Sequence, residues 1–143
     1  MQTERIAVSH PMQSYSFVIA DLAISQTDTP LYRVSTSGQA KIDAVGATMP
    51  WGGCIVGIGV NLSAKITNPE LVFSPSLNGT AVALVASVAD EETFAYAVAP
   101  YGDHRFNAGD ALGAMYSSDA NLLPAGSLDA AVDIYVIFDG VQP

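Results

Sequence analysis

The sequence predicts an all-β protein, an antiparallel β-sandwich, on three observations. Apolar residues alternate with period two over long runs. Glycine, proline, asparagine and aspartate separate those runs at fairly regular spacing. Hardly any stretch carries the three-and-four recurrence of an amphipathic helix.

The clearest run is Cys54 to Ile66, whose even positions Cys54, Val56, Ile58, Val60, Leu62, Ala64 and Ile66 are all apolar. Gly57, Gly59, Asn61, Ser63 and Lys65 fall between them, so the even set is expected to face the core. Cys54 is placed in that core set as a small hydrophobe. After Asn68-Pro69, the residues Leu71, Phe73 and Leu77 share a face, and Pro75 marks that segment as an edge strand or a strand end. Asn78-Gly79 follows, the dipeptide that best accepts the two positive φ angles of a type I′ hairpin turn.

From Thr80 to Val88 the inward set is Val82, Leu84, Ala86 and Val88, closed by the acidic turn Asp90-Glu91-Glu92. Phe94, Tyr96 and Val98 form the next strand. A polar loop from Pro100 to Arg105 leads to Phe106 and the Ala108-Gly109-Asp110 turn. Leu112, Ala114 and Tyr116 make another strand, and Ser117 to Ser127 reads as a loop. The last strand alternates Leu128, Ala130, Val132, Ile134, Val136 and Phe138, stopping at Asp139-Gly140. Alanine is common throughout, yet it stands among Val, Ile and Thr on alternating faces, so pattern outweighs helix propensity.

Residues 1–50 read differently from residues 51–143, which form the sandwich proper. Tyr15 to Ile24, Leu31 to Val34 and Lys41 to Val45 are strand candidates. The stretches around Gln26-Thr27-Asp28-Thr29-Pro30 and from Ser35 to Gln39 are polar and loop-like. Two readings stand side by side: outer strands of the same sandwich, or a leading arm that grips a partner. Arg5, Ile6, Val8, His10 and Met12 are the arm's contact candidates.

Composition narrows function by exclusion. With 143 residues the chain suits one domain, and it is 50% hydrophobic but only 13% charged. Five Lys+Arg against 14 Asp+Glu leave a net charge of -9, which repels phosphate backbones and argues against nucleic-acid and anionic-membrane partners. The beginning lacks a basic, then apolar, secretory pattern, and no apolar run reaches membrane-spanning length; a soluble protein made in a host cytoplasm is expected.

Catalytic chemistry finds little support. His10 and His104 are the two imidazoles, too few for a zinc site without converging partners. No Gly-x-Ser-x-Gly turn offers a strained nucleophile. Gly52-Gly53 and Gly57-x-Gly59 do not open a helix, so they cradle no phosphate. Asp90, Glu91 and Glu92 lack calcium-loop spacing and read as a solvated turn. No enzyme activity, cofactor or metal is expected. Trp51, Tyr101 and Phe106 either cap the ends of the sandwich, the commoner role of such aromatics, or form a platform for stacking on a ligand such as a sugar.

The second face of the later strands is apolar too. Met115, with Ala111 and Gly113, lies opposite the inward set of its strand, and Tyr135 and Ile137 do so in the last strand. Strands apolar on both faces need cover on both. Another copy of the chain is the simplest cover, so Met115, Tyr135 and Ile137 are the interface candidates of a homo-oligomer.

Several segments carry a resemblance: the opening strand Cys54–Ile66, the hairpin Asn78-Gly79-Thr80, the turn Phe106-Asn107-Ala108-Gly109-Asp110-Ala111-Leu112 and the closing strand Ala131 to Phe138. Together they resemble the compact jelly rolls of trimeric phage virion proteins, similar in layout to the tumour-necrosis-factor and complement globular-head class. The likeness covers about the last 90 residues. A basic residue often follows the Asp of that turn in the family; Ala111 stands here, so no family salt bridge carries over.

The resemblance implies a jelly-roll homotrimer without enzymatic activity, as in capsid decoration (cement) proteins, head fibres and tail-fibre tips. The expected role is a virion-surface cement protein that binds the major capsid protein and clamps neighbouring subunits. The alternative is a receptor- or carbohydrate-binding fibre tip using Trp51, Tyr101 and Phe106. The absence of a shaft or repeat in so short a chain favours cement.

Overall fold

The computed structural model describes residues 12–33 and 46–139, and every regular element among them is a β-strand. Twelve strands follow in order: β1 (Met12–Ile19), β2 (Gln26–Pro30), β3 (Tyr32–Arg33), β4 (Ala47–Thr48), β5 (Gly53–Leu62), β6 (Leu71–Leu77), β7 (Thr80–Ala81), β8 (Ala86–Ser87), β9 (Phe94–Val98), β10 (Arg105–Phe106), β11 (Ala111–Ser118) and β12 (Ala130–Phe138). They form two antiparallel sheets. One runs β10-β5-β12-β1-β3, with β9 also on β5; the other runs β2-β11-β6-β7, with β4 on β11 and β8 on β6. The fold is the antiparallel β-sandwich expected from the alternation.

The core lies between the sheets. Phe17, Ile58, Val60, Val132, Ile134 and Val136 face it from the first sheet; Leu71, Phe73, Leu112, Ala114 and Tyr116 face it from the second. The inward sets read for β11 and β12 are therefore the observed ones. Strands joined within a sheet are mostly distant in sequence: β1 pairs with β12 along its whole length, Met12 opposite Ile137 and Ile19 opposite Ala130.

Asn78 and Gly79 both take positive φ, 52° and 84°, as the hairpin turn requires. The Asn78 amide also ties this turn to the next one. Its Nδ2 donates to Asp110 Oδ1 (3.1 Å), and its Oδ1 accepts from the Ala111 N–H (2.9 Å). Asp110 Oδ2 accepts the Asn107 N–H at 2.8 Å. That hydrogen bond and the one from Asn78 hold the Asp110 carboxyl below its ordinary pKa.

Three local expectations are corrected. Gln26–Pro30 is a strand, not a loop: it pairs with β11 at the sheet margin. Its support is polar, the Gln26 and Asp28 N–H groups donating to the Ser118 and Ser117 hydroxyls, so no apolar alternation marks it. Pro75 lies within β6, between β11 and the β7/β8 side, rather than at an edge. Its carbonyl accepts the Val82 N–H, but its nitrogen has no hydrogen to return. The ladder breaks there, and the run from Thr80 to Val88 becomes the short β7 and β8, with Leu84, Ala86 and Val88 still buried.

The third correction concerns β5, which changes phase. Val60 pairs with Val132 and Ile58 with Ile134, but beyond Tyr135 the register shifts so that Val136 meets Ile55 and Ile137 meets Cys54. The extra residue is Val56, a β-bulge. Ile55 therefore enters the core, while Cys54, though fully buried, turns to the opposite face outside the core cluster. In β9, Ala95 and Ala97 turn toward the core and Phe94, Tyr96 and Val98 turn to solvent.

Candidate assembly surface

Among the described residues, the outer face of the β5 sheet carries the largest set of exposed apolar side chains placed by neighbouring strands. Register fixes its rows. Val98, Gly57, Tyr135 and Ser14 lie across one row; Tyr96, Gly59, Asp133 and Ser16 across the next; Phe94, Asn61, Ala131 and Val18 across the third. Tyr96 and Val98 are 72% and 76% exposed, and Phe94 is 50% exposed.

Glycine on β5 shapes this face. A Cβ on Gly57 would lie 3.5 Å from the Tyr135 ring, and one on Gly59 would lie 3.7 Å from it, so the ring leans across both glycines. The charge in the middle row is engaged: the Ser16 hydroxyl donates to the Asp133 carboxylate. Beside Ala131 a shallow groove of about 400 Å³ runs between Val18 and Asn61. The face thus offers apolar knobs around small-residue hollows, with no charge in the Phe94–Val98 stretch.

Past the bulge, Met12, Ile137, Cys54 and Arg105 form a fourth row across β1, β12, β5 and β10. The Arg105 guanidinium roofs Cys54, one nitrogen 3.3 Å from Sγ, and another reaches Asp139 Oδ2 at 2.7 Å. Tyr101 donates its hydroxyl to Asp139 and lies beneath the guanidinium, 5.8 Å from ring centroid to Cζ. The Asp139 carboxylate raises the pKa of both Tyr101 and Arg105. This ion pair is solvent-exposed, so it orients side chains more than it stabilises the fold.

The sequence-derived candidates divide accordingly. Tyr135 and Ile137 share the outer face of the β5 sheet, Tyr135 exposed and Ile137 half-buried. Met115 belongs to the other sheet and is 5% exposed, so it offers no surface to a partner in this arrangement. Met12 opens β1 and is exposed, while Arg5, Ile6, Val8 and His10 lie outside the described residues.

Trp51 is half-exposed, its ring edge-on to Phe138 with centroids 5.7 Å apart, and Tyr101 is exposed beside Asp139. Phe106 is 2% exposed and packs at 89° against Phe138, so its ring belongs to the core at the end of the sandwich. No group of three or more His, Cys, Asp or Glu converges for a metal among the described residues.

Sequence reasoning missed Phe94, Tyr96 and Val98 as surface. The sequence marks them as a strand, but alanine on the alternate positions does not say which side is covered. The available signal was on β5, where Gly57 and Gly59 at outward positions leave room beside bulky neighbours.

No known family matches the chain, and no curated protein does. Solved structures do. The chain is similar to one in the acidic stable capsid structure of Helicobacter pylori bacteriophage KHP30, with TM-score 0.53 and 8% identity over 91% of this chain and 90% of that one. A chain of the cyanophage Pam1 capsid asymmetric unit matches with TM-score 0.49 and 8% identity, over 91% of this chain and 86% of that one. At such identity the KHP30 likeness is one of fold.

Proposed function

We propose that the chain is a structural virion protein: a decoration or cement protein that sits as a homotrimer on the outside of a phage capsid and clamps neighbouring capsid subunits. The observation that carries this reading is the exposed apolar face around Phe94, Tyr96, Val98 and Tyr135. It accompanies a sandwich shared over nine-tenths of both chains with a protein from a phage capsid. A strand order of β3-β1-β12-β5-β9 against β4-β11-β6-β8 supports the jelly-roll expectation, with first and last long strands adjacent in one sheet.

Cement needs no reaction: it adds buried area across subunit boundaries and so stabilises the assembled shell by mass action. In this reading Tyr135 and Ile137 serve the threefold contact, and residues 1–11 with Met12 reach to the capsid protein. The fibre-tip alternative retains Trp51 and Tyr101 but loses Phe106 to the core.

The test is co-sedimentation of the purified protein with undecorated shells, followed by the same assay on a chain lacking residues 1–11. Met12 and Gln13 are kept because they pair with Ile137 and Val136 in β1. Stoichiometric binding that is lost on truncation supports the reading. A full-length protein that leaves shells bare, or binds glycan alone, overturns it; normal binding by the truncated chain overturns the arm.

A further inference from the structure

The edge of β9 has a backbone consequence beyond its exposed side chains. The Ala99 N–H donates to Val56 O (3.0 Å) and the Leu62 N–H to Thr93 O (2.8 Å), which fixes the phase of the β5–β9 ladder. With Gly57 opposite Val98 and Val60 opposite Ala95, it is Ala95 and Ala97 that exchange hydrogen bonds with β5. The N–H and C=O groups of Phe94, Tyr96 and Val98 therefore point the other way. On that side β9 has no ladder partner among the described residues. Folded proteins usually blunt such an edge with lysine, proline or a bulge. Phe94–Val98 carries none of them.

We propose that this edge pairs with β9 of a second copy, antiparallel about a two-fold axis at Tyr96, joining two sheets into one. Tyr96 then faces the partner's Tyr96, and Phe94 faces the partner's Val98. These are the residues whose backbone groups are directed outward, so each such pair exchanges both its hydrogen bonds. Their side chains all lie on the same outer face, giving one aromatic–aromatic and two aromatic–β-branched cross-strand pairs. The contact is isologous and closes on itself.

Charge favours this direction over a parallel one. Asp90-Glu91-Glu92 precedes β9, and in a chain of net charge -9 a parallel pairing would set two such turns side by side. Antiparallel pairing separates the two Glu92 residues by about 27 Å, well beyond the roughly 8 Å screening length. Each acidic turn then lies near the partner's loop 100–105 rather than beside the partner's own acidic turn.

The exposed parts of Phe94, Tyr96 and Val98 amount to about 350 Å² per copy, under half the roughly 800 Å² per partner of a standard interface. The pairing is accordingly reversible in free solution. It gains weight where other contacts hold copies at high effective concentration, as on a shell. It uses the backbone edge of β9, whereas the threefold contact assigned to Tyr135 and Ile137 uses the sheet face.

The test is disulfide trapping with the full chain under mild oxidation. In Tyr96→Cys the two Cα atoms lie about 5.5 Å apart across the axis, within disulfide range. In Val98→Cys they lie about 13 Å apart, out of range. Covalent dimer from Tyr96→Cys and none from Val98→Cys is the expected result. Equal trapping in both, trapping in Val98→Cys alone, or none in either overturns the pairing. Tyr96→Pro removes an outward N–H that β5 does not use; it should keep the native circular-dichroism spectrum and lower the concentration-dependent mass in sedimentation equilibrium. Unchanged association of a folded Tyr96→Pro also overturns it. Shell co-sedimentation of the wild-type chain reads the decoration role separately.

Discussion

Gly53→Ala should be the most damaging single methyl addition in the sheet. Gly53 opens β5 opposite Phe138, on the inward side just before the bulge. A Cβ there would lie 2.5 Å from the Ile137 carbonyl oxygen, 2.9 Å from Phe138 Cα and 2.9 Å from the end of the Phe106 ring. Two of those atoms are backbone of the neighbouring strand, so relief requires the β5–β12 ladder itself to move. Forcing a methyl into a closed site of this kind costs about 3 kcal/mol. For a domain of this size that lowers the melting temperature by about 10 °C.

The matched control is Gly57→Ala, whose new Cβ finds the Tyr135 ring at 3.5 Å, ordinary contact with a partly exposed side chain. It should lie within about 0.5 kcal/mol of wild type, since the lost glycine freedom in the unfolded chain offsets small adjustments. Urea denaturation with a common slope for the three proteins gives the comparison. Equal midpoints for Gly53→Ala and Gly57→Ala would refute the closeness argument, and with it the placement of the bulge between Gly53 and Gly57.

Two further outcomes follow from the polar contacts. Because the folded-state pKa of Asp110 is depressed, its contribution is present above the ordinary carboxylate value and fades as pH falls through the lower folded value. Asp110→Ala should therefore lower the urea midpoint at pH 7, with the gap to wild type closing below about pH 4; a constant gap across that range contradicts the clasp between the two turns. Cys54 should resist thiol reagents in the native protein and react once unfolded, and Arg105→Ala should quicken native labelling by uncovering the sulfur. Identical labelling rates in the two proteins would show that the guanidinium does not guard it.

Much of the fold was legible because alternation records one covered side of a strand. In β12 the even residues from Ala130 to Phe138 are buried, and in β11 Leu112, Ala114 and Tyr116 are, as their spacing says. Asn78-Gly79 announced its own turn through the φ angles it tolerates. The candidate surface was harder to read. Tyr135 was identified from a second apolar face, yet by the same logic Met115 was chosen and proves buried. Local pattern cannot distinguish apolar residues awaiting a partner from those already covered by another part of the chain. For Phe106 the sequence leaves open end cap or ligand platform; the structure packs it against Phe138, more than thirty residues away.

By itself, then, the order of residues determined strand class, most turn positions and which side chains share a face. Tertiary structure alone decided which face is covered. The bulge at Val56 moves Cys54 out of the core and Ile55 into it, and β9 turns its alanines inward and its aromatics out. The reason is physical: period two relates a residue to its neighbours two places away. Burial depends on what a distant strand lays over it, and a one-residue slip reverses every side chain beyond.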